Sequence, residues 1–155
     1  GVIEASGRDQ SLIRCGVIRT HAGQRLSIRL NQIYQDACAL IDTFRPDAVA
    51  IEELFFNTNL KTGIAVAHGR GVLILAGEAR GIPMYEYTPL QVKQTVTGYG
   101  RAEKKQVMEM VRRLLGMETV PRPDDAADAL AIAICHARVA NSLLNLDGGN
   151  ICSTI

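Results

Sequence analysis

Four cysteines, three histidines and no long apolar run are what this 155-residue chain offers the commoner site chemistries. Each shortage closes a class. A membrane-spanning helix needs about 20 consecutive apolar residues, and no run approaches that length. Cys15, Cys38, Cys135 and Cys152 are scattered, with no C-x-x-C pair and no histidine at zinc-finger spacing. A disulfide framework and a zinc finger are thereby excluded. The four read as reduced thiols of an intracellular protein, with at least three expected to be buried. His21, His68 and His136 form no motif. There is no G-x-S-x-G, no phosphate-binding loop and no complete dinucleotide fingerprint. The G-x-G at Gly69–Gly71 falls inside a helical pattern. No secretory leader pattern, internal repeat or low-complexity segment is visible. The net charge of +1 announces no nucleic-acid partner by itself.

What is present suits one globular domain. The chain is 47% hydrophobic and 21% charged, ordinary values for a soluble protein. At this length a chain buries roughly 68–70% of its unfolded surface, enough for a core without disulfides. One domain over residues 1–142 is expected, with a loose tail over 143–155 that carries Gly148 and Gly149.

Punctuation and periodicity give the order of elements. Residues 1–4 and Leu12–Thr20 read as strands around the turn residues Ser6–Asp9, an antiparallel hairpin. A helical period runs from Leu26 through Leu30, Ile33, Tyr34, Ala37, Leu40, Ile41 and Phe44, and Arg45-Pro46-Asp47 ends it. A short strand over Asp47–Glu52 terminates in Glu52 and Glu53. Leu54–Lys61 is a loop with two adjacent phenylalanines, Phe55 and Phe56. Thr62–Arg80 is a helix interrupted by Gly69, Gly71 and Gly77, which predicts close approach to a second helix. Ile82–Tyr87 is a strand near a sheet edge because of Pro83. Thr88-Pro89 starts a short helix to Thr97, and Gly98-Tyr99-Gly100 is a flexible turn. Ala102–Leu115 is an amphipathic helix stopped by Gly116, and the last helix begins at Pro123-Asp124-Asp125 and runs to about Asn141. Strands alternating with helices predict an α/β domain with a mixed sheet.

Two features carry chemistry. Asp125 and Asp128 lie three apart at a helix start, so their carboxylates share one face. Behind them Ala126, Ala127, Ala129 and Ala131 permit close approach to a sheet. Acids there also serve as caps that suit the macrodipole, and Asp124 can be the cap. The functional reading gains if a third carboxylate is brought alongside. Glu52, at a strand's carboxyl end, is the candidate. Three such carboxylates make a hard oxygen cluster suited to Mg²⁺ or Mn²⁺, and two ions about 3.5–4 Å apart suit phosphodiester cleavage. The second feature is charge. Lys93, Arg101, Lys104, Lys105, Arg112 and Arg113 stand against only Glu103 and Glu109. This is a phosphate track or a solvated helix face.

Ala50-Ile51-Glu52 followed by Leu54-Phe55 resembles the second acidic motif of the RuvC family of Holliday-junction resolvases. Arg70-Gly71-Val72, Tyr85-Glu86-Tyr87, Gln91–Val96, Gly98 and Gly100, Ala102-Glu103-Lys104 and Asp125–Ala133 continue the likeness in family order. It runs from Gly1 to about Ala140. The resemblance implies a ribonuclease-H-like fold and a homodimer that cuts four-way DNA junctions with Mg²⁺, two ions per complete site, in recombination and repair. It implies metal ligation by Glu52, Asp125 and Asp128, and catalytic roles for these acids together with Lys93 and Lys104. DNA contacts are expected from Phe55, Lys93, Arg101, Lys104 and Lys105, with Phe56 then a core residue. A branch-migration helicase complex (RuvA and RuvB) is the implied partner, in the cytoplasm and away from membranes.

The family begins with a central strand that carries a first metal-binding Asp, and this chain starts at what resembles the second strand. Asp9, in the hairpin turn, is no substitute. A chain lacking that strand is expected to be impaired in metal binding and catalysis. Two other functions stay open at this point: a junction-binding module without catalysis, and a ribonuclease-H-like nuclease acting on RNA.

Overall fold

The computed structural model describes residues 1–7, 9–54 and 60–146. Their element order is β1 (Val2–Ser6), β2 (Asp9–Arg14), α1 (Leu26–Phe44), β3 (Val49–Glu52), α2 (Leu60–Glu78), β4 (Met84–Tyr87), α3 (Pro89–Thr97), α4 (Lys104–Leu114) and α5 (Asp124–Leu146). The anticipated α/β class holds. β1 and β2 form the antiparallel hairpin, and β3 pairs with β4 in a second two-stranded sheet.

Several boundaries differ from the sequence expectation for local reasons. β2 stops at Arg14 instead of Thr20, because Val2 of the short β1 pairs with Arg14 and leaves no further partner on that strand. α4 starts at Lys104 instead of Ala102, because Glu103 is its N-cap in a capping box with Gln106. α5 continues to Leu146, since no glycine or proline interrupts residues 141–146. The predicted Phe55–Phe56 loop and the end of the tail, 147–155, lie outside the described residues. Of the thiols expected to be buried, Cys38 and Cys135 are buried but Cys15 is only half-buried; Cys152 lies outside the described residues.

The chain forms two compact units. One contains Gly1–Val17, Ala50–Glu52 and the chain from Glu86 onward. Its core joins Tyr87, Val92, Val96, Val107, Val111, Leu130 and Ile134, with Ile3, Leu12 and Ala50 packed against them. α5 is the spine: β1, α3 and α4 all pack on it. Ala126 and Ala127 are wholly buried and Ala131 nearly so, which is how this helix comes close to its neighbours. Thr88 caps α3 through a full capping box with Gln91, and Pro89 occupies the first turn.

The other unit contains Ile18–Val49 and Glu53–Tyr85. α1 packs on α2 around Ala37, Cys38 and Ala76. Arg80 grips Asp42 with two bonds, Nε to Oδ1 at 2.7 Å and Nη2 to Oδ2 at 2.9 Å. The three glycines of α2 do not share one helix–helix contact as expected. A Cβ on Gly77 would run into the side chain of Met84, whereas Gly69 and Gly71 face open space.

Candidate active site

Glu52 is the last residue of β3. Two positions earlier, Ala50 packs against the core, which fixes the strand while Glu52 itself emerges at the surface. α5 begins at Asp124, directly after Pro123, whose carbonyl accepts from the Ala126 N–H at 3.0 Å. With Ala126 and Ala127 locked beneath, Asp124, Asp125 and Asp128 are carried on a rigid first turn.

Lys104 joins these elements. It is the first helical residue of α4, a place where a cation opposes the helix dipole. Its ammonium is drawn away to α5, donating to Asp128 Oδ2 at 3.0 Å and standing 3.8 Å from Asp124 Oδ2. The hydrogen bond to Asp128 holds the Lys104 ammonium above its ordinary pKa, against the effect of burial, with the charges of Asp128, Asp124 and Asp125 adding to it. Asp124 also accepts from Arg122 Nη1 at 3.0 Å. Asp124 is thus the first helical residue of α5 and not the cap expected from the sequence, and its carboxylate serves Arg122 and Lys104. Its i,i+4 spacing to Asp128 was the signal that could have revealed this.

The Glu52 carboxyl is pushed up from its ordinary value, first by burial and then by the charge of Asp128, with Lys104 pulling the other way. A strand end and a helix start far apart in sequence thus meet electrostatically. Among the described residues, no group of three or more His, Cys, Asp or Glu side chains gathers at metal-holding spacing. Glu52 feels the charge of Asp128; Asp125, three residues before Asp128, is exposed. The donor chemistry suits a hard divalent cation: the acids are carboxylates, one is destabilised by its neighbour's charge, and a cation already sits against another.

The remaining predicted residues are distributed as follows. Lys93 lies half-buried on α3, its carbonyl accepting from the Thr97 hydroxyl at 2.8 Å. Arg101 and Lys105 are exposed on either side of the α4 cap. Arg112 and Arg113 leave the proposed phosphate track, because both bind Glu109 at 2.8 Å. Those two bonds hold Glu109 down to about 2. Phe55 lies outside the described residues. One feature had no sequence signal: the Tyr87 hydroxyl stands 2.8 Å from His136 Nδ1, and burial lowers the His136 pKa.

The family model described as crossover junction endodeoxyribonuclease RuvC matches residues 1–136. The protein of that name from Ruminiclostridium cellulolyticum is 54% identical over 136 residues, covering 88% of this chain and 82% of its own. That from Desulforamulus reducens is 49% identical over 151 residues, covering 97% and 90%. Among solved structures, Thermus thermophilus RuvC superposes with a TM-score of 0.83 at 37% identity, covering 91% of this chain and 86% of that one. The same protein in complex with Holliday junction substrate gives 0.86 at 35% identity, covering 90% and 86%. The ribonuclease-H-like α/β class anticipated from the sequence is the fold of these structures. A strand-end glutamate that feels the charge of a helix-start aspartate bound to a lysine, the fold of these structures and about half the residues shared with the curated relatives leave one assignment: the chain belongs to the RuvC family of crossover junction endodeoxyribonucleases.

Proposed function

We propose that this chain is a metal-dependent endonuclease that resolves four-way DNA junctions, with Glu52, Asp125 and Asp128 as the acids of its active site. The observation that carries the site assignment is the meeting of Glu52 with Asp128 beside Lys104. The substrate follows from family membership and from the junction-bound structure of the Thermus relative.

Glu52, Asp125 and Asp128 would hold Mg²⁺, with Mn²⁺ an alternative and two ions the expected number for a complete site that also has the first metal-binding Asp. Such ions supply Lewis-acid stabilisation of the attacking and leaving oxygens in a phosphodiester displacement. The chain's own side chains supply the rest. Glu52 must be ionised to ligate, and its raised pKa makes that loss of a proton harder until cationic charge arrives. Lys104 supplies such charge from α4 and is placed to neutralise acids or a phosphate. Lys93, Arg101 and Lys105 remain to hold the DNA backbone, and Phe55 is the proposed stacking residue.

The reaction is hydrolysis, in which a water oxygen displaces one ester oxygen at phosphorus. Replacing Asp128 by Asn in a full-length version that carries the first metal-binding Asp tests the assignment, because it keeps the shape of the side chain and removes its charge. Cleavage of a four-way junction is expected to disappear while junction binding persists. A variant that cuts as fast as the parent would sink the reading.

A homodimer is part of the proposal, and α2 is its candidate surface. Ile64, His68, Gly71 and Leu75 recur on one helical face and all are exposed. Leu75 is 57% and Ile64 50% exposed. Gly71 has no neighbour within 4 Å of where a Cβ would stand, so another backbone could approach closely. Sedimentation should give the mass of two chains; a monomer at all concentrations would count against it. Assembly with the RuvA and RuvB branch-migration complex and a cytoplasmic location complete the proposal. No helix among the described residues is long and apolar enough to cross a membrane.

A further inference from the structure

The turn between α3 and α4 was expected to be flexible, and it is pinned instead. Gly98 caps α3 in the left-handed region at φ 79°, its N–H donating to the Gln94 carbonyl at 2.9 Å. The Gln94 side-chain amide donates back to the Gly98 carbonyl, also at 2.9 Å. The Tyr99 N–H donates to the Thr97 hydroxyl at 3.2 Å, and that hydroxyl stands 3.0 Å from the Tyr99 carbonyl. The same carbonyl accepts from the Ala102 N–H at 3.1 Å. Ala102 is nearly wholly buried, so the far end of the turn is anchored in the core. On the near side Leu90 lies so close to Gly100 that an added Cβ would stand 2.8 Å from its Cδ1.

Three of these bonds use the backbone of Tyr99, and none uses its side chain. Its ring is 59% exposed. A rigid turn thus presents a large aromatic side chain to solvent. Single exposed apolar residues are common and need no explanation; the surroundings distinguish this one. Arg101 follows two residues later, and Lys104 and Lys105 open α4. Arg101 and Lys105 are exposed. Lys104 reaches the acids of α5. Tyr99 and Lys104 are five positions apart, a span of at most about 18 Å even when fully extended. The ring is therefore held within a few nucleotides of any phosphate bound at Lys104.

We infer that Tyr99 is a DNA-contacting residue, its ring stacking on a base face of the junction strand whose phosphates are tracked by Arg101, Lys104 and Lys105. This rests on the junction-nuclease reading above and adds a contact to it. An aromatic face accepts any base, so the contact contributes affinity and position without a sequence code. Rigid presentation matters because little side-chain and loop freedom remains to be lost on binding.

The test uses the full chain and a fluorescent four-way junction, with binding followed by anisotropy over a range of salt and no divalent ion added. Tyr99→Ala is expected to melt like the parent, since none of the turn's hydrogen bonds uses the Tyr99 side chain. It should bind the junction about 5- to 150-fold more weakly, the range for loss of one base–aromatic stack. The slope of log affinity against log salt should not change, because no phosphate contact is lost. Tyr99→Phe should restore binding. Arg101→Ala supplies the contrast, with a slope about one unit shallower. A 2-aminopurine near the crossover should be quenched by the parent and not by Tyr99→Ala. If Tyr99→Ala binds as the parent does, or loses affinity through a changed salt slope, the inference is overturned and the nuclease reading stands. If the unsubstituted chain shows no preference for a junction over a duplex, the reading fails and takes the inference with it.

Discussion

Enlarging Ala127 to Leu attacks the packing that holds the acids in place. Ala127 is wholly inaccessible, as is its neighbour Ala126. It lies one residue before Asp128, whose carboxylate meets Lys104 at 3.0 Å. Overpacking of such a site costs about 1–3 kcal/mol. In a chain of this size each kcal/mol lowers the melting temperature by about 2–4 °C, so the transition should fall by about 2–12 °C. Ala127 has no accessible surface, so the added atoms push against its neighbours and displace the first turn of α5 outward. A displacement of about 1 Å at a reacting centre can cost 10²-fold in rate. Junction cleavage in single-turnover conditions should therefore fall by about that factor, even well below the melting transition. Ala39→Leu is the control: Ala39 is exposed on α1, and a surface change there is worth within about 0.5 kcal/mol either way. A variant at 127 that melts within a degree of the parent and cuts at the same rate refutes the close-approach argument for α5.

Other outcomes follow from single contacts. Leu130→Ala empties a wholly buried position and should cost about 2–5 kcal/mol by denaturant titration; a smaller loss means that the core collapses around it. Thr88→Ala removes the hydroxyl that accepts from the Gln91 N–H at 3.1 Å and should cost about 1 kcal/mol in the same assay. Gly100→Ala places a methyl against Leu90, and Leu90→Ala in the same chain should recover most of the lost stability; two additive losses would contradict the collision. Glu52 titrates above its ordinary value in the folded chain, so the native state holds this proton more tightly than the unfolded state. Its contribution is complete below the ordinary glutamate range and is lost as pH rises through the folded pKa. Comparing the pH dependence of stability in the parent and Glu52→Gln isolates it: the parent, and not the variant, should lose stability across that window.

The elements were legible wherever local chemistry decided them. Thr88-Pro89, the Arg45-Pro46 stop and the aliphatic period of α1 all describe short-range preferences, and the structure follows them. β2 is shorter than its apolar pattern because strand length depends on the partner, and β1 supplies only five residues. The Gly98-Tyr99-Gly100 turn was read as flexible from its glycines, yet one glycine serves a left-handed cap and the other the contact with Leu90. Glycine marks a backbone requirement and does not say whether side chains then lock the turn. At the site, Glu52, Asp128 and Lys104 stood out by residue type and position. That Asp124 shares Lys104, and that Glu109 holds both Arg112 and Arg113, depends on side-chain geometry across and along helices. The Tyr87–His136 pair joins β4 to α5 and has no spacing that sequence could display.

The most direct measurement is the titration of the Glu52 carboxyl by carbon NMR in the metal-free chain and two variants. Asp128→Asn removes a neighbouring negative charge and should lower the Glu52 pKa, whereas Lys104→Gln removes a positive one and should raise it. Opposite shifts establish that strand end, helix start and lysine share one site. A carboxyl indifferent to both substitutions would mean that these groups do not meet, and the active site proposed for this chain would be wrong.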